Sequence, residues 1–130
     1  MKDRFKFRVW DGEKMHYPDF DFKTGGFVLV ICNNTGYGIQ DVDGDWVLQG
    51  GELMQCTGLK DRNGELIWEG DVIRSIYWHP LVESCEVYYH QDSARWLAKH
   101  STGNRSLDSI ECSQVYEVIG NIYENPDLLT

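Results

Sequence analysis

Three groups of side chains in this sequence have the types that metal binding or acid–base work requires, and each has to be judged by its spacing. Asp41, Asp43 and Asp45 alternate as the first ligands of a calcium loop do. Such a loop needs glycine at its sixth position and glutamate at its twelfth. Counted from Asp41, the sixth position is Trp46, so an acidic turn is the simpler reading. Glu69 and Asp71 flank Gly70, and two carboxylates held close together can divide the roles of acid and base. The same three residues also make a bend into an apolar strand, which explains them without catalysis. The third group is four histidines, His16, His79, His90 and His100, with four cysteines, Cys32, Cys56, Cys85 and Cys112. The cysteines lie far apart and form no Cys-x-x-Cys pair, so zinc-ligand spacing is missing. Neither a serine nor a cysteine stands in the surroundings of an activated nucleophile. The expectation is no metal, no cofactor, no catalytic residue and no enzyme.

Aromatic side chains are the remaining chemical resource, at 13 % of the chain with five Trp and seven Tyr. Trp68, Tyr77, Trp78, Tyr88 and Trp96 all fall on expected strands. Strand alternation buries some of them and leaves others outside, where aromatic rings anchor protein partners. These five are the candidate binding residues.

Charge narrows the partners. Twenty-one acidic and twelve basic residues give a net charge of −9, which repels phosphate and disfavours capture of nucleic acid by bulk attraction. Lys2, Arg4, Lys6 and Arg8 alternate along the first expected strand and read as its solvated face. No apolar run approaches the ~18 residues that span a bilayer, and the charged start does not build a signal peptide. A cytoplasmic protein with reduced, core-packed cysteines is expected. In that compartment the sequons at 33–35 and 104–106 carry no meaning.

The elements that must hold these residues are short and extended. Phe5, Phe7 and Val9 alternate with Lys6 and Arg8, Asp11-Gly12 turns the chain, and Lys14 to Tyr17 returns as a partner strand. Phe27 to Cys32 is a continuous apolar run, which predicts a central strand covered on both faces. From Asn33 to Gly51 the Asn, Gly and Asp content predicts a long excursion with one or two short strands at Tyr37–Ile39 and Trp46–Leu48. Leu53 to Leu59 forms a strand, and Asn63-Gly64 is expected to make a type I′ hairpin turn. Gly70 then bends the chain into a strand from Val72 to Trp78. Glu83 to His90 and Ala94 to His100 pair across a turn at Gln91–Ser93; 101–105 is a polar loop; Ser106 to Cys112 forms a short helical turn. Val115 to Tyr123 is the last strand, with Gly120 marking a bulge, and Asn125-Pro126 starts a closing helical turn. Many short strands and no long helical period predict a mainly β chain, an SH3-like β-barrel or roll at 53–130 with an N-terminal β lobe at 1–52 packed on it. At 130 residues a chain buries roughly two-thirds of its unfolded surface, enough for one core.

Three segments carry a family resemblance. The opening Phe5-Lys6-Phe7-Arg8-Val9-Trp10-Asp11, the central Leu53-to-Gly64 stretch with Glu69-Gly70-Asp71-Val72, and the closing Tyr116-to-Pro126 stretch stand in the order seen in the YopX family of phage and prophage proteins. The chain resembles that family over nearly its whole length, outside Asn33 to Gly51. The resemblance implies an SH3-like β assembly encoded in a phage genome and transfers no catalytic residue. The functional expectation is a non-enzymatic accessory module binding a host or phage protein, or itself as a homo-oligomer. An acidic DNA mimic or nucleic-acid-associated protein is the alternative, and a small hydrolase the third possibility.

Overall fold

The computed structural model describes residues 2–18, 27–32, 36–75, 84–100 and 103–129. It is mainly β, built from curled antiparallel sheets with one α-helix. The chain divides into two compact units, one of residues 5–55 and one of residues 1–4 with 56–130.

In the first unit, β1 (Phe7–Trp10) pairs with β2 (Met15–His16) across the expected Asp11-Gly12 turn. β3 (Phe27–Cys32), β4 (Gly36–Asp41) and β5 (Trp46–Gln49) form a three-stranded meander. Alternation along these strands puts Leu29, Ile39 and Leu48 on one face, where they pack with Val9, Phe7, Tyr37 and Leu53. β3 was expected to be a central strand; in the three-stranded sheet it is an outer one, with Phe27 exposed and Val28 and Val30 half-buried. Its apolar run therefore reflects one buried face and one partly open face. The basic row at the start of the chain is also corrected. Lys2–Phe5 forms a single 3-10 turn, so no strand carries all four cations, and Arg8 is only 3 % exposed, with Nη1 3.5 Å from the Tyr17 hydroxyl.

β6 (Glu52–Lys60) belongs to both units: its residues up to Gln55 pair with β1, and those from Cys56 onward pair with β7 (Leu66–Trp68). The β6–β7 register slips between Cys56 and Lys60. Thr57 repairs the ladder there, its hydroxyl donating to the Ile67 carbonyl at 2.7 Å and accepting from the Leu59 N–H at 3.0 Å.

The second unit is dominated by β8 (Asp71–Ser75), β9 (Cys85–His90), β10 (Arg95–His100), β11 (Gly103–Ser106) and β12 (Tyr116–Asn121). Their order in the sheet is β11-β10-β9-β8-β12, so the last strand returns beside the first. The helix α1 (Ser109–Val115) leads into β12; Asp108 caps it by accepting from the Glu111 N–H at 2.7 Å. Ile67, Ile73, Cys85, Val87, Ala98, Cys112 and Tyr116 form the core. The expected Gly120 bulge is present as a register shift between Val118 and Gly120, and the closing 3-10 turn spans Pro126–Leu129. A Cβ at Gly120 would meet Asn125 Oδ1 at 2.5 Å and Leu128 Cδ1 at 2.7 Å, so any larger residue there would displace the closing turn's side chains. Residues 103–106, expected as the end of a polar loop up to 105 and the start of a helical turn at 106, are instead the edge strand β11, exposed along its whole length.

The Asn63-Gly64 hairpin differs from expectation in type. Gly64 alone takes positive φ, at +81°, so the turn is not type I′, which needs positive φ at both central residues. Asp61 closes the loop instead. Its N–H donates to the Glu65 carbonyl, its carbonyl accepts from Gly64, and its Oδ1 accepts from the N–H groups of Asn63 and Glu65 at 2.8 and 2.9 Å. Its other oxygen, Oδ2, accepts from the Val118 N–H in β12 at 2.9 Å, while the Arg62 N–H donates to the Tyr116 carbonyl. Asp61 is 2 % exposed. Removing a buried acceptor strands its donors at 1–3 kcal/mol each, so Asp61→Ala is expected to cost about 2–4 kcal/mol in urea unfolding. Asp61→Asn, whose amide nitrogen must face either the loop N–H groups or that of Val118, is expected to lose roughly half as much.

Candidate functional site

The five candidate aromatics are not gathered into one site. β7 places Trp68 opposite Cys56, half-buried. β9 places Tyr88 half-buried, its ring edge-on to His90 at 6.3 Å. β10 places Trp96 half-buried against the core. Tyr77 and Trp78 lie outside the described residues. What β9 and β10 do bring together is Tyr89 and Trp96: the two are directly opposed in the ladder, and their rings meet edge to face at 5.1 Å and 71°. Such pairs contribute about 0.5–1.5 kcal/mol beyond burial and hold both rings in one geometry. Tyr89 shares a strand face with Cys85 and Val87, as alternation requires, yet it is 43 % exposed whereas they are buried. The sequence signals its side of the strand but not where the core ends.

A second exposed aromatic, Trp46, sits at the start of β5 opposite Gln40; the short strand at Trp46–Leu48 is expected from the sequence, but the candidate aromatics come only from the barrel strands, which leaves this one out. A Cβ built on Gly38 would lie 2.6 Å from its ring, so the absent side chain is what lets the indole lie flat on the β4 backbone. The register slips beside it, and Val47 there is 45 % exposed.

The titratable candidates serve local structure. Asp41 repeats the Asp61 arrangement: its Oδ1 accepts from the Asp43 and Asp45 N–H groups, both at 3.0 Å, and its own N–H donates to the Asp45 carbonyl. Asp71 is buried and accepts from the Trp68 N–H at 2.7 Å, closing the bend at Gly70, where φ is +85°. His16 Nε2 lies 2.7 Å from Asp11 Oδ2, and this contact, followed by the amides of Lys14 and Glu13, holds the Asp11 carboxyl well below the usual carboxylate range. His90 contacts the Ser93 hydroxyl at 2.7 Å within its turn. His79 and the His100 side chain lie outside the described residues. Among the described residues no cluster of His, Cys, Asp and Glu has the makings of a metal site.

The fold and these surfaces can be set beside known proteins. The family profile described as YopX protein matches residues 6–130. The chain belongs to the YopX family. A relative, the SPbeta prophage-derived uncharacterized protein YopX of Bacillus subtilis (strain 168), is 29 % identical over 139 residues, covering 95 % of this chain and 94 % of its own. The crystal structure of protein yopX from Bacillus subtilis superposes with a TM-score of 0.66 at 25 % identity, over 96 % of this chain and 95 % of that one. The crystal structure of protein EF1440 from Enterococcus faecalis gives a TM-score of 0.57 at 29 % identity, over 96 % and 97 %.

In this YopX-family chain two core groups have strongly shifted ionisation. Burial, reinforced by the nearby carboxylates of Asp108, Glu111 and Asp61, pushes the Cys112 thiol up to about 12. Burial and the hydrogen bond that Tyr116 donates to Glu111 Oε1 at 3.0 Å push the phenol up to about 12 as well. A thiol so shifted stays protonated at neutral pH and is a poor nucleophile. Because the folded state raises both values, it favours the protonated forms. Their stabilising effect is complete below the unfolded-state values, near 9 for the thiol and 10 for the phenol, and is lost as pH rises toward 12. Stability measured by urea titration is expected to fall steadily across that alkaline window, with a shallower slope in Cys112→Ala and in Tyr116→Phe.

Proposed function

We propose that this YopX-family protein is a prophage-encoded accessory module that works without catalysis, binding a phage or host protein in the bacterial cytoplasm through aromatic residues on its β-sheets. The observation that carries the reading is the Tyr89–Trp96 pair, a large ring held at the surface by a second ring that is itself anchored on the core. A preformed aromatic anchor has little side-chain entropy left to lose on binding. Among the described residues, the side chains of Asp41, Asp71 and His90 are engaged in turns, which favours binding over chemistry. The prophage setting rests on the Bacillus subtilis relative.

We also assign the five-stranded sheet to an SH3-like barrel. A meander from β8 to β11 whose fifth strand, β12, returns to pair with the first is the arrangement barrel closure needs, and α1 supplies the connection into that strand. A self-associating form would use the same aromatic surface. Mimicry of DNA is the weaker alternative, because charges on this sheet are mixed in sign: Arg74 lies 3.7 Å from Glu117, and Lys99 is opposite Glu86. A phosphate-like array needs carboxylates without interleaved cations.

The test is capture of the tagged protein from phage-infected cells, read by mass spectrometry beside Tyr89→Ser. A specific partner is expected with the unaltered chain and strongly reduced with Tyr89→Ser at little-changed melting temperature. No partner at all, together with a monomeric mass by light scattering, would contradict the proposal.

A further inference from the structure

The three-stranded sheet of the first unit uses one face for its own core and leaves the other carrying an apolar strip. Val28 and Val30 of β3 are opposite Gln40 and Gly38 of β4, and all four lie on the face away from Leu29, Ile39 and Leu48. Trp46 covers Gly38 on this same face, 41 % exposed, and Val47 stands beside it. Val42, in the adjoining turn, is 63 % exposed. Val28, Val30 and Trp46 on one sheet face, with the indole close against Gly38 and the exposed Val47 and Val42 at the adjoining register shift and turn, have the form of a binding hot spot.

Charge specifies what fits there. The strip ends at the turn holding Asp41, Asp43 and Asp45, where the Asp41 carboxylate is tied to the loop amides while Asp43 and Asp45 join those bonds through backbone groups, both N–H groups and the Asp45 carbonyl. Between Lys23 and Lys60 the sequence has no Lys, Arg or His, and it includes Asp41, Asp43, Asp45 and Glu52. The rim of the strip is therefore acidic without a compensating cation from its own strands. Potentials of one sign beside an apolar centre select a partner of the opposite sign and speed its encounter. A second copy of this chain would bring the same carboxylates against each other, which is unfavourable.

We propose that this face of the β3-β4-β5 sheet is a docking surface for a cationic, apolar-faced protein segment, with Trp46 and Val47 as anchors and Asp43 and Asp45 as its charge partners. The inference rests on the interaction-module reading and adds to the Tyr89–Trp96 pair a second surface with a partner of stated chemistry.

The probe is a fluorescein-labelled synthetic amphipathic peptide of lysine and leucine, with a glutamate–leucine peptide of the same pattern as control, titrated by anisotropy against the full chain. The lysine peptide is expected to bind and the glutamate peptide not. Trp46→Ser/Val47→Ser, which leaves the net charge untouched, is expected to weaken binding about tenfold or more, the loss usual for a hot-spot aromatic. Asp43→Asn/Asp45→Asn is expected to weaken it and flatten its salt dependence, whereas removing two exposed charges elsewhere, Glu13→Gln/Asp92→Asn, leaves it unchanged. Equal loss in both charge variants, or full binding by Trp46→Ser/Val47→Ser, would show attraction by net charge alone and overturn the proposal. A dimer in light scattering that Trp46→Ser/Val47→Ser dissolves would also overturn it, since the occupant would then be a second copy. If the lysine peptide binds no better than the glutamate peptide while capture from infected cells still returns a Tyr89-dependent partner, this surface is wrong while the interaction reading stands.

Discussion

The carboxylate of Asp61 is the constraint on which the second unit depends. β12 is an edge strand of its sheet, and an edge strand presents unpaired N–H and C=O groups that must find partners. On the side away from β8, the Val118 N–H finds Asp61 Oδ2 and the Tyr116 carbonyl finds the Arg62 N–H. One turn of the β6–β7 hairpin thus stands in for a missing strand. The same side chain shapes the turn it comes from, since its other oxygen gathers the amides of Asn63 and Glu65. A single ionised group joins two elements 57 residues apart in sequence and closes the loop that positions it. Tyr116 and Cys112, which pack into the core beside this junction, depend on β12 staying in place.

The same device recurs through the chain and engages several of its acidic residues in local structure. Asp11, Asp41, Asp61 and Asn121 each accept from backbone N–H groups two to four residues ahead, and each ends a strand with a compact turn. Short polar side chains favour such turns because they imitate a backbone acceptor. A carboxylate already holding two amides has less capacity left for a metal or a substrate proton. Sheet faces remain available for a partner, and they carry Tyr89, Trp96 and Trp46.

Much of this was legible in the sequence, for reasons that also mark the limits. Period-2 alternation located β1, β9, β10 and β12 because each has one buried and one open face. Gly120 and Asn125-Pro126 signalled a bulge and a closing turn because only certain residues tolerate those backbone shapes. β11 escaped because its residues, Gly103 to Ser106, are all exposed, and a strand without a buried face has no alternation to read. Asn63-Gly64 was matched to the wrong turn type because the dipeptide signal ignores the residue two positions earlier. The pattern Asp-x-Asp/Asn-Gly-Asp/Glu occurs twice, at 41–45 and 61–65, and the two copies make the same set of bonds. That repetition was the available clue to Asp61. The link from Asp61 to Val118 spans too much sequence for any local pattern to reveal. At the surface, the sequence supplied a list of aromatics but could not say where the core stops, so it favoured Trp96 over its more exposed partner Tyr89 and passed over Trp46.

Amide hydrogen exchange of the Val118 N–H, followed by NMR in the unaltered protein, tests this account most directly. If Asp61 Oδ2 holds that N–H, its protection will match that of the β8–β12 ladder amides and will collapse in Asp61→Ala, which removes both acceptor oxygens, while the ladder persists. Exchange at the rate of an open loop, or protection unchanged by the substitution, would show that the edge of β12 is closed by something other than Asp61.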